Sequence, residues 1–137
     1  MGLVEHQFRS HCPINFAQEV FGDRWCLLII RDLVFKGKKH YGEFLESSEQ
    51  ISTNILANRL KKLQKMELIT KTTDTSNQSK YVYELTPKGI DLIPMLIEMI
   101  IWGATHDNNT DAPDELVKRC KTDKEGLMYE LIENLGK

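Results

Sequence analysis

The chain has 137 residues, of which 41% are hydrophobic, so it can build one domain with a buried core but is too short for two ordinary domains. The formal net charge is -2, so the chain lacks the overall basic charge of many nucleic-acid-binding domains. The 3 widely spaced cysteines and the lack of a signal-peptide pattern argue against a secreted disulfide framework. The longest apolar run, residues 90–102, falls short of the roughly 20 residues that span a bilayer. We therefore expect a cytoplasmic protein without a membrane segment.

The first third of the chain predicts a succession of helices. Residues 1–11 are polar and are expected to be loosely ordered. Proline at the first position of the next helical pattern makes Cys12 the predicted N-cap. Residues 24–35 are apolar on most sides and predict a buried central helix. A short amphipathic helix around Phe44 follows, and the SSEQ segment then turns the chain.

Residues 50–69 predict the helix around which the chain is organised. Leu56, Leu60 and Leu63 recur at i, i+4 and i+7, so they should face the core. Ser52 occupies the expected N-cap position. The opposite face is polar and then cationic, and within this stretch it has no acidic partner before Glu67. This face carries Asn54, Asn58, Arg59, Lys61, Lys62 and Lys65. An anionic partner is the functional interpretation, and a solvated lysine-rich face is the alternative.

After this helix the pattern changes to strands. Residues 68–73 and 80–85 flank a polar loop and predict a β-hairpin, which after a helix-turn-helix would be a wing. Thr86 is the predicted N-cap, and Pro87 the predicted first residue, of an apolar helix that extends to residue 102. Pro94 should bend this helix or mark a second start.

The helix over residues 87–102 is apolar on nearly every side, which predicts that a second copy of the chain covers it. A two-fold dimer would place two recognition helices on a palindromic operator with half-sites roughly 34 Å apart. Helices at residues 113–121 and 124–135 are expected to support this dimer rather than bind a ligand. The predicted interface residues are Ile93, Leu96, Ile97, Ile100, Ile101 and Trp102.

Six segments in this order resemble the HxlR-type winged-helix transcriptional regulators of bacteria. They are CPI (12–14), GDRWCLLIIRDL (22–33), KGKKHYGEFL (36–45), ISTNILANRLKKLQKMELI (51–69), YELTPKG (83–89) and IIWG (100–103). The resemblance implies an HxlR-type DNA-binding domain at residues 12–104. The remaining residues, 105–137, are predicted from their own pattern to form an acidic helical C-terminal extension. The implied fold is α+β and mostly helical, a winged helix-turn-helix with a two-stranded wing and extra N- and C-terminal dimerisation helices. The implied function is a dimeric regulator, usually a repressor of genes that respond to chemical or redox stress.

The chain departs from the family pattern in three places, one of which is a C-terminal tail beyond about Asp107 that is longer than expected. Gln50 stands where such sequences usually have glycine, so we expect the turn to be made in another way. The wing loop lacks the usual proline-arginine stretch, and Lys80 is its only cation, which weakens the case for a minor-groove contact.

The first two turns of a recognition helix enter the major groove most deeply, so Thr53, Asn54 and Asn58 are assigned to base edges and the later cations to phosphates. Either asparagine could pair bidentately with adenine. Lysines before the preceding helix could also bind phosphate, with a solvated loop as the alternative. The complete set assigned to double-stranded DNA is Ser52, Thr53, Asn54, Asn58, Arg59, Lys61, Lys62, Lys65, Lys38, Lys39 and Lys80.

Cys12 is the second candidate site. A thiol at a helix N-terminus meets the positive end of the helix dipole, which favours thiolate, and His6 and His11 could add to this. A cysteine at the matching position is the sensor in some family members, which supports a response to an oxidant, an electrophile or another small molecule. The alternative is a cysteine that only caps the helix. Cys26 is interpreted as an inert core residue, while an intersubunit disulfide is the alternative for Cys120.

The sequence favours no enzymatic function. It has no glycine-rich phosphate loop and no HExxH motif, so no catalytic residue, metal ligand or cofactor is assigned. The alternative to a DNA-binding regulator is a protein-interaction module that docks through the apolar helix at residues 87–102. Such a module should bind DNA weakly and with little dependence on salt, whereas a regulator should lose affinity steeply as salt rises.

Overall fold

The computed structural model describes residues 6–136, and the expectation of loose order for residues 1–5 lies outside this range. The helices and strands follow the predicted order closely, so the mostly helical α+β architecture is confirmed. They are α1 (Pro13–Phe21), α2 (Cys26–Phe35), α3 (Tyr41–Leu45), α4 (Thr53–Lys65), β1 (Ile69–Thr73), β2 (Tyr81–Leu85), α5 (Pro87–Ile90), α6 (Ile93–His106), α7 (Asp114–Thr122) and α8 (Lys124–Leu135). No helix in the described range is long and apolar enough to cross a bilayer.

The core is centred on α2 and on the leucine stripe of α4. Ile30 of α2 is 0% exposed, and Leu56, Leu60 and Leu63 are at most 2% exposed. Each fully buried leucine contributes about 1.5–3 kcal/mol relative to an exposed one. The prediction that this stripe faces the core is therefore confirmed, and it fixes which face of α4 remains in solvent.

The wing is a two-stranded antiparallel sheet in which Ile69 pairs with Leu85 and Thr73 pairs with Tyr81. Tyr83 is buried at the base of the wing, with its ring centroid 6.1 Å from that of Phe44. The backbone N–H of Tyr83 donates to the Lys39 carbonyl over 2.9 Å. The wing is thus anchored to the segment that leads into α3.

The apolar stretch after the wing contains two helices, because the chain begins a second helix near Pro94. Thr86 caps α5, and its Oγ1 accepts the Gly89 N–H over 3.1 Å. Helix α6 then begins at Ile93 with Pro94 in its first turn, where a proline loses no helical hydrogen bond. Of the two alternatives for Pro94, the second start is the observed one.

Three residues of the predicted dimer interface lie inside the protomer. Ile93, Leu96 and Ile97 are 0%, 5% and 1% exposed, so their assignment to an interface between chains is wrong. The C-terminal extension supplies the reason. Its helices α7 and α8 pack on α6, and α8 also packs on α2, so the apolar side of α6 is covered by the same chain.

The C-terminal extension shares the hydrophobic core of the preceding helices. Cys120, Leu127 and Leu131 are buried and belong to the same hydrophobic cluster as the residues of α2 and α4. Cys120 is 0% exposed, which excludes an intersubunit disulfide in the folded protein. Residue 105 therefore marks no boundary between separate cores.

The turn before α4 passes through the left-handed backbone region, with Gln50 at φ 61°. Gln50 itself therefore makes the turn, in a conformation that glycine reaches at lower cost. We expect Gln50→Gly to raise the free energy of unfolding by about 0.5–1 kcal/mol in urea denaturation. Ser48→Gly, at a neighbouring residue without positive φ, should leave stability unchanged or lower it, and equal gains from both variants would contradict the explanation.

Candidate nucleic-acid interface

Helix α4 presents a continuous polar face to solvent. Ser52 caps it as predicted, with its Oγ accepting the Ile55 N–H over 3.3 Å. The Tyr41 hydroxyl donates to the Thr53 carbonyl over 2.9 Å and so joins α3 to the first turn of α4. The exposed members of the predicted set on this face are Ser52, Thr53, Asn54, Asn58, Lys61 and Lys65.

Two of the predicted cations on α4 have an acidic partner within the protein. Arg59 Nε lies 3.0 Å from Asp23 Oδ1, and Lys62 Nζ lies 3.3 Å from Asp23 Oδ2. The side chains of Arg59 and Lys62 are 27% and 29% exposed. The prediction that these cations lack an acidic partner is therefore wrong. Asp23 precedes them by 36 and 39 residues, and no local pattern reports such a pairing.

Asp23 also holds the first turn of α2. Its Oδ1 accepts the backbone N–H groups of Trp25 and Cys26 over 2.9 and 3.0 Å. Partial burial pushes the pKa of Asp23 upward, but hydrogen bonds from the Cys26 thiol, these backbone amides and Arg59 outweigh it and hold the pKa well below its usual range. Asp23 is thus a charged anchor between α2 and α4.

Lys38 faces a buried carboxylate rather than open solvent. Its Nζ donates to Ser47 Oγ over 2.8 Å and lies 3.7 Å from Asp32 Oδ2. Asp32 is 2% exposed and also accepts hydrogen bonds from Arg31. Lys38 therefore compensates a buried charge, and its predicted role in phosphate binding is not supported. Lys39 is half-buried beside the wing.

His40 connects the wing loop to the start of α3, a role that the sequence did not indicate. Its Nε2 lies 2.9 Å from Asp74 Oδ2, and its Nδ1 lies 3.0 Å from Glu43 Oε1. Hydrogen bonds to Asp74 and then to Glu43 raise the pKa of His40. The Lys80 side chain, at the outer end of the wing, is exposed.

Cys12 occupies the predicted N-cap position of α1 and is exposed, whereas Cys26 and Cys120 are buried. The backbone amides of Asn15 and Ile14 at the start of α1 lower the pKa of the Cys12 thiol. The imidazole Nε2 of His6 lies 3.0 Å from Glu19 Oε1, so His6 pairs with a carboxylate.

Cys26 has the opposite environment. Burial, together with the nearby Asp23 carboxylate, raises the pKa of its thiol to about 12. A thiol with this pKa and no exposure is a poor nucleophile, so the interpretation of Cys26 as an inert core residue agrees with its surroundings.

An exposed apolar surface remains on the side of the protein formed by α1 and α6. Trp102 and Met99 of α6 are 69% and 48% exposed, and Ile14 of α1 is 73% exposed. Between the two helices runs an open apolar groove whose lining includes Pro13, Ile14, Ala17, Phe21, Leu27, Met95 and Met99. Of the predicted interface residues, Ile100 and Ile101 are half-buried and Trp102 projects into solvent. The helices that carry Ile14 and Met99 were predicted to take part in the dimer, but these two residues were not named individually.

Metal coordination is not indicated by the arrangement of side chains. In residues 6–136, no group of three His, Cys, Asp or Glu side chains is placed to hold a metal ion. The features of the site are a capped helix with an exposed polar face, a short helix packed before it and an anchored two-stranded hairpin after it. Together they define a winged helix-turn-helix of the DNA-binding class.

The HxlR-like helix-turn-helix family model matches residues 20–111, and the chain belongs to this family. The HTH-type transcriptional regulator YodB of Bacillus subtilis is 36% identical over 93 residues, which cover 67% of this chain and 82% of YodB. The HTH-type transcriptional regulator sll1512 of Synechocystis sp. is 31% identical over 88 residues, and the chain spans 64% of its length.

Solved structures of similar proteins agree with the fold. PA1607 matches with a TM-score of 0.68 at 34% identity, covering 77% of this chain and 72% of that one. The redox regulator HypR in its oxidized form matches with a TM-score of 0.63 at 26% identity, covering 71% and 99%. The quinone-bound form of YodB matches with a TM-score of 0.56 at 33% identity, covering 69% and 99%.

Proposed function

We propose that the protein is a dimeric, sequence-specific transcriptional repressor that binds a palindromic operator through α4. The observation that carries this proposal is the division of α4 into two faces. Its leucines are buried, while its first turns expose hydrogen-bonding side chains and its last turns expose lysines. Hydrogen-bonding groups near the start of a recognition helix suit base edges, and cations suit the flanking phosphates.

Individual roles follow from position on α4. Thr53 and Asn54 lie in the first turn and are proposed to reach base edges, with the Asn54 amide able to match N6 and N7 of adenine. Lys61 and Lys65 lie nearer the end and are proposed to contact phosphates. Lys80 would contact the DNA backbone from the wing.

The proposed dimer uses the exposed apolar surface of α1 and α6. Large apolar side chains grouped on two adjacent helices are typical of a surface that another protein covers. A second copy of the same chain would cover this surface isologously and place a second α4 on the other half of a palindrome.

The decisive test is fluorescence anisotropy with the protein's own upstream DNA at two salt concentrations. We expect tight binding that weakens steeply as salt rises. Lys61→Ala should weaken binding to all sequences and reduce the slope against log salt by about one. Asn54→Ala should instead relax preference at one base position, at a cost of about 1–3 kcal/mol on the cognate site. An equal loss on scrambled DNA would contradict the base-reading role of Asn54.

A redox or electrophile response through Cys12 is proposed as the signal. The exposure of Cys12 and the lowered pKa of its thiol support this proposal. Of the similar proteins, HypR has been solved in an oxidized form and YodB in a quinone-bound form. We expect diamide to release the wild-type protein from DNA and Cys12→Ser to remain bound under the same treatment. Cys120→Ser, at a buried thiol, is the matched control and should still be released. Release of Cys12→Ser by diamide would contradict a sensing role for Cys12.

A protein-interaction module is the second candidate function, because the α1 and α6 surface would also suit a different partner protein. DNA binding distinguishes the two candidates. Weak binding that does not change with salt would favour the interaction module, since phosphate contacts make binding salt-dependent.

A further inference from the structure

We propose that Asp23 and Arg59 orient the side-chain amide of Asn58 so that Asn58 offers N–H donors to the operator and prefers guanine to adenine. This inference rests on the proposed DNA-binding function. It makes Asp23 and Arg59 positioning residues for base recognition, and it changes the expected base for Asn58.

The orientation of Asn58 follows from the chemistry of its neighbour. Arg59 Nη1 donates to Asn58 Oδ1 over 2.5 Å. A guanidinium carries N–H donors and no acceptor, so only the oxygen end of an amide can face it. The NH₂ group of Asn58 is therefore directed away from Arg59, and Asn58 is exposed on the polar face of α4.

Arg59 is itself held by a fixed group. Its Nε donates to Asp23 Oδ1 over 3.0 Å, and Asp23 is anchored to backbone amides at the start of α2. Lys62 occupies the second oxygen of the same carboxylate. Because α2 is part of the buried core, the position of Arg59 is set by the fold rather than by solvent.

The base edges in the major groove give this orientation a consequence. Bidentate pairing with adenine needs the amide oxygen to accept from N6 while the amide nitrogen donates to N7. One of the two lone pairs of the Asn58 oxygen already accepts from the positively charged Arg59, which leaves this oxygen a weaker acceptor for N6 while the NH₂ group keeps both of its donors. Guanine presents only acceptors at this position, O6 and N7, and these match the remaining N–H donors. Asn54 lies one turn earlier and keeps the proposed adenine contact.

The experiment is selection of operators by the full-length protein from a randomised duplex DNA library, followed by sequencing. Asn58→Ala identifies the base position that Asn58 contacts, because preference there should disappear. At that position we expect the wild-type protein to favour guanine over adenine about tenfold. Arg59→Lys keeps the positive charge but loses the planar fork, and Asp23→Asn removes the charge that holds it. Both variants should reduce this ratio to about twofold or less, with preference unchanged at the other positions.

Two results would overturn the inference. One is a wild-type preference for adenine at the Asn58 position. The other is a uniform loss of affinity in Arg59→Lys with the base ratio unchanged, which would indicate a purely structural or electrostatic role. Thermal unfolding shows whether each variant is folded. If Asp23→Asn does not fold, the result for Arg59→Lys alone tests the inference. If the folded wild-type protein enriched no sequence at all, that result would instead contradict the proposed DNA-binding function.

Discussion

Replacing Trp102 by aspartate is expected to convert the protein from a dimer to a monomer and to weaken binding to a palindromic operator about a hundredfold or more. Trp102 is 69% exposed on α6 beside Met99, and a dimer on this surface would bury both side chains. A carboxylate without a partner in such an interface costs several kcal/mol in lost hydration. A monomer also loses the gain in affinity that comes from binding two half-sites at once.

Sedimentation velocity and fluorescence anisotropy measure the two effects separately. On DNA with one half-site, Trp102→Asp and the wild-type monomer should bind equally, because α4 is unchanged. Tyr129→Asp is the matched control, since Tyr129 is also 69% exposed but lies on α8, away from the proposed interface on α1 and α6. Its dimer should persist. If Trp102→Asp remained dimeric while Tyr129→Asp dissociated, the interface would have to be placed on α8.

Replacing Asp32 by alanine is expected to lower the free energy of unfolding by about 3 kcal/mol. Asp32 is 2% exposed and accepts hydrogen bonds from Arg31 and Ser47, with Lys38 Nζ at 3.7 Å. Its removal leaves these donors without their buried acceptor. The expected loss of stability is near the lower end of the range for a broken buried ion pair, because Arg31 keeps its ion pair with Glu49.

Urea denaturation followed by circular dichroism provides the measurement for Asp32→Ala. Glu133→Ala, which removes an exposed carboxylate from α8, serves as the control and should change stability by less than about 0.5 kcal/mol. Comparable losses in the two variants would show that the buried position of Asp32 contributes little. A loss of DNA affinity without a loss of stability would point instead to a role for Lys38 at the DNA.

Local patterns in the sequence predicted the elements of the fold well. The spacing of Leu56, Leu60 and Leu63 located the buried side of α4, and Ser52 located its first turn within one residue. The cap and proline at Thr86 and Pro87 likewise located α5. Predictions from these features were correct because helix periodicity and capping depend on residues within a few positions of one another.

Pairings between distant residues were the main source of error. The charge on Arg59 and Lys62 was read as unpaired, because Asp23 becomes their neighbour only when α2 packs near α4. The partners of Lys38 were likewise not visible in the sequence, since they come from α2 and from the segment after α3. A charge pattern along one helix describes its face but not the groups that approach it from elsewhere in the fold.

The sequence by itself determined the order of helices and strands, the core face of α4, the wing and the family. Only the tertiary structure decided which polar and apolar groups remain available to partners. It placed Ile93, Leu96 and Ile97 under the C-terminal extension and left Trp102 and Met99 in solvent. The physical reason is that the sequence of a helix that is apolar on all sides does not indicate which side faces the core. The exposed side of such a helix is therefore set by the elements that pack on it.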